Sequence, residues 1–206
     1  MTFKTYVVHL PHPERRAMMD AELDRMGLQA EYVHASPPDR GFSMSNMRRN
    51  ARVEFGIALS HIKAILHADG DALILEDDVR FLCDRARLDE VVAELPEGWD
   101  VCYFGGHPRG PTQRATRSLV KVSTFSFAEA YLISAKAQGP FLDYWLDRAG
   151  QPNAMIDLVL GEFASRHNGY CAWPLLTEQR PIVSHVSGKV DERAHLLQKG
   201  WAAHGC

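Results

Sequence analysis

Three consecutive carboxylates, Glu76-Asp77-Asp78, follow directly on the apolar run Ala72-Leu73-Ile74-Leu75. Adjacent like charges repel, and charge set beside an apolar strand needs a cationic partner. A hard divalent ion, Mg²⁺ or Mn²⁺, suits carboxylate oxygens and can bridge to a diphosphate. The plainer alternative is a solvated turn in which one carboxylate caps the next helix. If the backbone stays extended through the run, alternation puts Glu76 and Asp78 on one side and Asp77 on the other, so that two carboxylates face one ligand. An EF-hand loop fits poorly, since its alternating acidic positions and central glycine are missing.

Arg15 and Arg16 fall in the first turn of a predicted helix, where the positive end of the helix dipole disfavours cations by roughly a few tenths of a kcal/mol. A phosphate held by backbone N–H groups and an arginine together would account for them, as would plain solvation beside Glu14 and Asp20. Ser60-His61 is no nucleophile pair, because helix neighbours point about 100° apart, and no Gly-x-Ser-x-Gly elbow is present. Gly105-Gly106-His107-Pro108-Arg109-Gly110 lacks the Gly-Lys-Ser/Thr ending of a P-loop and reads as a turn at the sheet rim. His9, His12 and His34 can cluster at the ends of the first two strands, but their spacing matches no metal pattern.

These groups need a scaffold, and the hydrophobic pattern supplies one. Tyr6 to Leu10 is an apolar strand, Met19, Leu23 and Met26 share a helix face that Gly27 ends, and Ala30 to His34 is a second strand, which together make a βαβ unit. Residues 36–50 read as a long loop. Phe55, Ala58, Leu59, Ile62, Ile65 and Leu66 give the clearest helix in the chain. Ala72 to Leu75 lacks alternation, which suits a strand covered on both faces. Trp99 to Phe104 is a further strand, residues 107–120 read as a flexible loop, and Phe125 to Ser134 is strand-like. Ala135 to Arg148 and Met155 to Ala164 read as helices, Tyr170 to Trp173 as a late strand. Strands alternating with helices imply an α/β fold, and ligands in such sheets bind at the carboxyl ends of the strands, where the acidic run sits.

The 206 residues, 46% hydrophobic and 24% charged, fit one globular domain. A net charge of -3 gives no general attraction to nucleic acid or anionic lipid. The four cysteines, Cys83, Cys102, Cys171 and Cys206, are isolated and read as free thiols. With no segment near 18 uninterrupted apolar residues, a cytoplasmic location, or one peripheral to the inner membrane face, is expected.

The order of motifs resembles glycosyltransferase family 25, the lipooligosaccharide and procollagen galactosyltransferase group. His9-Leu10 with Pro13-Glu14-Arg15-Arg16 is similar to its Asn-Leu start and following Asp-Arg-Arg. Gly56-Ile57-Ala58-Leu59-Ser60-His61 is similar to its Gly-x-x-Leu-Ser-His, and Ala72 to Val79 to its apolar strand leading into Glu-Asp-Asp. Trp99-Asp100, Gly105-Gly106, Ala130-Tyr131-Leu132-Ile133-Ser134, Ile156-Asp157, Gln179 and Ser184-His185-Val186 continue the match. Three positions depart: His9 replaces Asn, Glu129 stands where the family usually has His, and His185 where it has Asp.

The resemblance implies a GT-A (Rossmann-like) fold with a mixed, mostly parallel sheet flanked by helices, a UDP-sugar donor, and Mn²⁺ or Mg²⁺ held on the diphosphate. The residues expected to serve the cation are Asp78, Glu76 and His185. Those expected to serve the donor are His9, Arg15, Arg16, Ser60, His61, Glu76 and Asp77. Asp157 is the expected general base for an inverting reaction, with Glu129 second. The acceptor is left open between a glycan, a lipid-linked sugar, a protein hydroxyl and a modified nucleobase. The basic stretch Arg109, Arg114, Arg117 and Lys121 reads either as surface charge or as a surface for an anionic acceptor. A nucleotide-sugar-binding module without catalysis and a metal-dependent phosphohydrolase are the alternative readings. Asp191 to His204, within a tail over residues 188–206, has a modest helical pattern suited to docking, dimerisation or contact with a membrane-bound acceptor.

Overall fold

A computed structural model of the chain describes residues 2–36, 49–149, 151 and 154–181. The elements run β1 (Lys4–His9), α1 (Pro13–Met26), β2 (Ala30–His34), α2 (Arg49–His67), β3 (Ala72–Glu76), β4 (Val79–Phe81), α3 (Arg85–Ala93) and β5 (Val101–Tyr103). They continue with β6 (His107–Pro108), β7 (Thr112–Arg114), β8 (Leu119–Val122), β9 (Phe125–Ser126), β10 (Ala130–Ile133), α4 (Ala135–Arg148), α5 (Ile156–Arg166), β11 (Gly169–Ala172) and β12 (Thr177–Gln179).

Eight strands form a mixed sheet in the order β2-β1-β3-β10-β5-β11-β8-β7, while β12-β4 and β6-β9 are separate pairs. β2, β1, β3, β5, β11 and β7 point one way; β10 and β8 point the other. Successive strand residues alternate between faces, and helices cover both. On one face Ile62 and Ile65 of α2, Phe141 of α4 and Leu160 of α5 pack on Tyr6, Ile74 and Tyr131. On the other, Met19 and Leu23 of α1 and Val91 of α3 pack on Val7, Leu73 and Leu132. Ala72, Leu73, Ile74 and Leu75 are all at 0% exposure, as their unbroken apolar run leads one to expect. Burial of a Leu or Ile side chain contributes about 1.5–3 kcal/mol, so β3 is among the most firmly held strands.

Topology then places the crevice. The chain leaves β1 through α1 to reach β2 on one side and returns through α2 to β3 on the other, so the strand order reverses between β1 and β3. Such a reversal opens a cleft at the carboxyl ends of the two strands. Pro13 starts α1 right after β1, and Gly27 ends it in the left-handed region at φ 59°, its N–H bonded to the Asp24 and Leu23 carbonyls.

Several sequence expectations change. Residues 107–120, expected to be a flexible loop, contain β6 and β7, and β7 pairs antiparallel with β8 as a hairpin on the sheet edge. Arg114 and Arg117 hide this from the pattern by standing at its exposed end: Arg114 donates to the Arg117 carbonyl and Arg117 pairs with Glu90 and Glu94. The strand expected over Phe125 to Ser134 is broken by Phe127, whose φ of 70° ends β9 before β10 begins. Helix α3, capped by the Asp84 side chain on Arg87 N–H, has too few apolar positions to show in the sequence. The loop expected over 36–50 lies mostly outside the described residues, as do the tail helix, Cys206 and His185.

Candidate functional site

The acidic run leaves β3 at Glu76 and turns at once, so the expected alternation does not hold. Asp77 and Asp78, rather than Glu76 and Asp78, share a partner: the Arg15 guanidinium, which pairs with Asp77 and lies 3.0 Å from Asp78 Oδ2. The turn is the cause, because it swings Asp78 toward the start of α1 while Leu10 N–H donates to Asp77 Oδ2 at 3.0 Å. Arg15, placed against the helix dipole, is thus the resident countercharge of two carboxylates. Arg16 turns away, bonded to Asp20 and stacked 3.4 Å over the Tyr32 ring.

Glu76 takes other partners. His61 Nε2 lies 3.3 Å from its Oε1 and Gln179 donates to its Oε2 at 3.1 Å. Gln179 arrives on β12, which pairs with β4 just past the run, and Arg180 N–H then bonds the Asp78 carbonyl. Arg180 is tied down by Glu22, a buried carboxylate on α1 that also takes Arg25 and the Phe81 N–H. These tethers, which no sequence pattern announced, fold residues 177–180 over the crevice.

The electrostatics sort the carboxylates. Burial and the charges of Glu76 and Asp77 outweigh Arg15 and push Asp78 up to about 7. Burial also raises Asp77, against the pull of Arg15 and the Leu10 N–H. For Glu76 burial opposes ionisation, yet its bond to His61 and the pull of Arg15 prevail and hold it below the usual range. Glu129, brought to the crevice because antiparallel β10 begins where β3 ends, bonds Glu76 N–H through its carbonyl. Burial, with Glu76, Asp78 and Asp157 nearby, pushes its carboxyl up to about 8.

Asp157, in the first turn of α5, accepts the Phe127 N–H at 3.1 Å and holds the left-handed Phe127 in place. Such a backbone costs about 1–3 kcal/mol for a bulky residue and concentrates at functional sites. His9 is buried, its Nδ1 near the Leu10 carbonyl and its ring 4.8 Å from His34 and 5.0 Å from Tyr32. His9 and His34 do cluster, therefore, as aromatic neighbours. Ser60 and His61, expected to serve the donor, are buried and bonded within the protein. Ser60 Oγ donates to the Gly56 carbonyl and accepts from Ser36 N–H, and His61 is wholly enclosed behind Glu76.

Several buried polar atoms here have no hydrogen-bond partner among the described residues: Asp78 Oδ1, Arg15 Nε, His9 Nε2, both Glu129 carboxyl oxygens and Thr177 Oγ1. Gly105 makes room for the last group, since a Cβ there would strike Thr177 Oγ1 and Glu129 Oε1. Native interiors satisfy nearly all such atoms, so a concentration of exceptions marks a place for ligand or water. Among the described residues no three His, Cys, Asp or Glu side chains form a set ready to hold a metal ion. The donor type still fits one: Asp78 offers a free carboxylate oxygen beside the bound oxygens of Asp77 and Glu76.

No protein family matches the chain, and no curated protein matches it. Among solved structures it is similar to the glycosyltransferase GlyE of Streptococcus pneumoniae TIGR4, at 13% identity and a TM-score of 0.49 over 82% of this chain and 45% of that one. It is also similar to a Bacillus anthracis structure described as that of a glucose-1-phosphate thymidylyltransferase, at 11% identity and TM-score 0.46 over 100% and 96% of the two chains. A197 from STIV gives 12% identity and TM-score 0.42 over 82% and 81%. Likenesses this distant carry no argument about activity; the α/β architecture rests on the chain's own topology. No helix among the described residues is long and apolar enough to cross a membrane.

Proposed function

We propose that the chain is a metal-dependent glycosyltransferase that moves a sugar from a UDP-sugar to an acceptor hydroxyl with inversion. The observation that carries this reading is the meeting, at the β1/β3 crevice, of an unpartnered carboxylate oxygen and an unpartnered guanidinium N–H, Asp78 Oδ1 and Arg15 Nε. One awaits a cation and the other an anion, and a cation–diphosphate pair satisfies both. The motif resemblance to glycosyltransferase family 25 points the same way.

Asp78, with Glu76, would hold Mn²⁺ or Mg²⁺, which when bound neutralises the diphosphate and favours its departure. Arg15, at the start of α1, would turn its free N–H to a phosphate oxygen, alongside the backbone N–H groups of the helix end. Asp157 is the base in this scheme. The acceptor oxygen bonds to the anomeric carbon, the bond from that carbon to the diphosphate oxygen breaks, UDP leaves with the electron pair, and Asp157 takes the hydroxyl proton.

The test is a panel of UDP-sugars assayed with and without Mn²⁺ for release of UDP and free or transferred sugar. Metal-stimulated release that disappears in Asp78→Asn is the expected result. Full metal-stimulated activity in that variant would remove Asp78 as ligand. Free phosphate from nucleotides would mean a phosphohydrolase, and tight binding without turnover a binding module.

A further inference from the structure

From the core to the acidic run extends a line of polar groups that spans four elements, β10, α2, β3 and β12. The Tyr131 hydroxyl of β10 is 3.2 Å from His61 Nδ1, and the two rings stack with centroids 5.8 Å apart. His61 Nε2, on α2, then meets Glu76 Oε1 at 3.3 Å, and Gln179 closes on Glu76 Oε2 at 3.1 Å. Tyr131 and His61 have no solvent exposure, whereas the Glu76 side chain keeps 24% of its surface. The line therefore starts in the core and ends at the crevice.

In its Nε2–H tautomer His61 donates to Glu76 across the 3.3 Å contact. In the same tautomer the bare Nδ1 accepts from the Tyr131 hydroxyl. Both ring nitrogens are engaged and the ring is enclosed, so His61 reaches a ligand only through Glu76. We propose that His61 is a positioning residue: Tyr131 fixes its tautomer, and its Nε2–H, together with Gln179, holds the Glu76 carboxyl in one orientation toward the divalent cation at the crevice. This rests on the reading of the acidic run as a cation site. Histidine and carboxylate partners behind metal ligands commonly set metal affinity by about 10–100-fold, which is the size of effect expected.

Two substitutions separate positioning from packing. The amide of His61→Gln reaches where Nε2 stands and can still donate to Glu76; that of His61→Asn matches Nδ1 and falls short. Mn²⁺ affinity, measured by calorimetry on the full chain without donor, is expected to fall about tenfold or more in His61→Asn and to stay within about threefold in His61→Gln. Tyr131→Phe, which keeps the ring and removes the hydroxyl, should weaken Mn²⁺ several-fold and stands in if His61→Asn does not fold. Long-range ¹H–¹⁵N spectra of the unaltered protein should show His61 protonated at Nε2. A ring protonated only at Nδ1, equal losses in the Gln and Asn variants, or unaltered affinity in both the Asn and Phe variants would each overturn the role of His61. Failure of the unaltered protein to bind Mn²⁺ or Mg²⁺ would instead overturn the cation reading, and with it the role assigned here.

Discussion

Glu94 and Glu129 are the same side chain in opposite circumstances. Glu94, at the end of α3, accepts from Thr116 Oγ1, Ser118 N–H and Ser118 Oγ, with Arg117 alongside, and its carboxyl is pushed down to about 2. Glu129, at the crevice, has neither carboxyl oxygen bonded among the described residues, and its carboxyl is pushed up to about 8. The first binds a hairpin to a helix and gives stability. The second is an acid whose charged form burial disfavours, kept in place by the strands around it, as Asp78 is, and groups of that kind concentrate at functional sites.

Four measurements break or sharpen this contrast. The largest effect belongs to Asp157→Asn, which keeps an acceptor for the Phe127 N–H but no longer accepts a proton; transfer should fall about 10²–10⁴-fold with folding intact. Unchanged turnover would remove Asp157 as base. Next comes Glu129→Gln. A free glutamate titrates near 4.5 and the folded one near 8, so between those values the folded state holds a proton the unfolded state lacks, and stability falls as pH rises. The variant should therefore gain on the parent by on the order of a few kcal/mol between pH 5 and pH 8 in chemical denaturation. A pH-independent difference would show that Glu129 is an ordinary carboxylate.

Glu94→Ala should cost about 1–3 kcal/mol by stranding the Ser118 and Thr116 donors, with turnover unaffected. The sign is opposite to that of Glu129: the stability Glu94 gives is present above about pH 4.5 and lost as pH falls toward 2. A drop in turnover at full stability would erase the line between the two regions. The smallest effect is expected from Arg16→Ala, whose exposed bond to Asp20 and stacking on Tyr32 are worth about 1 kcal/mol or less in thermal denaturation.

What the sequence made legible were features written in local periodicity. The βαβ start, the helix carrying Leu59-Ser60-His61 and the both-faces-buried strand before Glu76 follow from which residues are apolar and how far apart they fall. The position of the carboxylates at a strand end was equally readable. Pairings across long separations were not. Arg15 meets Asp78 across 63 residues and Gln179 meets Glu76 across 103, and neither pattern nor propensity encodes such distances. The turn at Asp77 and Asp78 overrode strand alternation because the carboxylates find their partners only by leaving the strand. Charged side chains at the tip of the β7–β8 hairpin made it resemble a loop. Thr177, beside Glu129, carried no signal, and Gly105 read only as a turn at the sheet rim and a motif match, since a hydroxyl and a small residue gain their role here only from what lies beside them.

The antiparallel course of β10 has a consequence for which length changes the chain tolerates. Ala130 and Leu132 face α1 and α3 while Tyr131 and Ile133 face α2 and α4, and strand side chains alternate strictly. Deleting a single residue between Phe127 and Glu129 would pull the strand one step along, exchange its two faces, and carry the tyrosine away from His61. Removing Phe127 together with Ala128 would restore the faces but draw Glu129 out of the crevice. Homologues that keep this site should accordingly vary in the residues joining β9 to β10 far more readily than in their number.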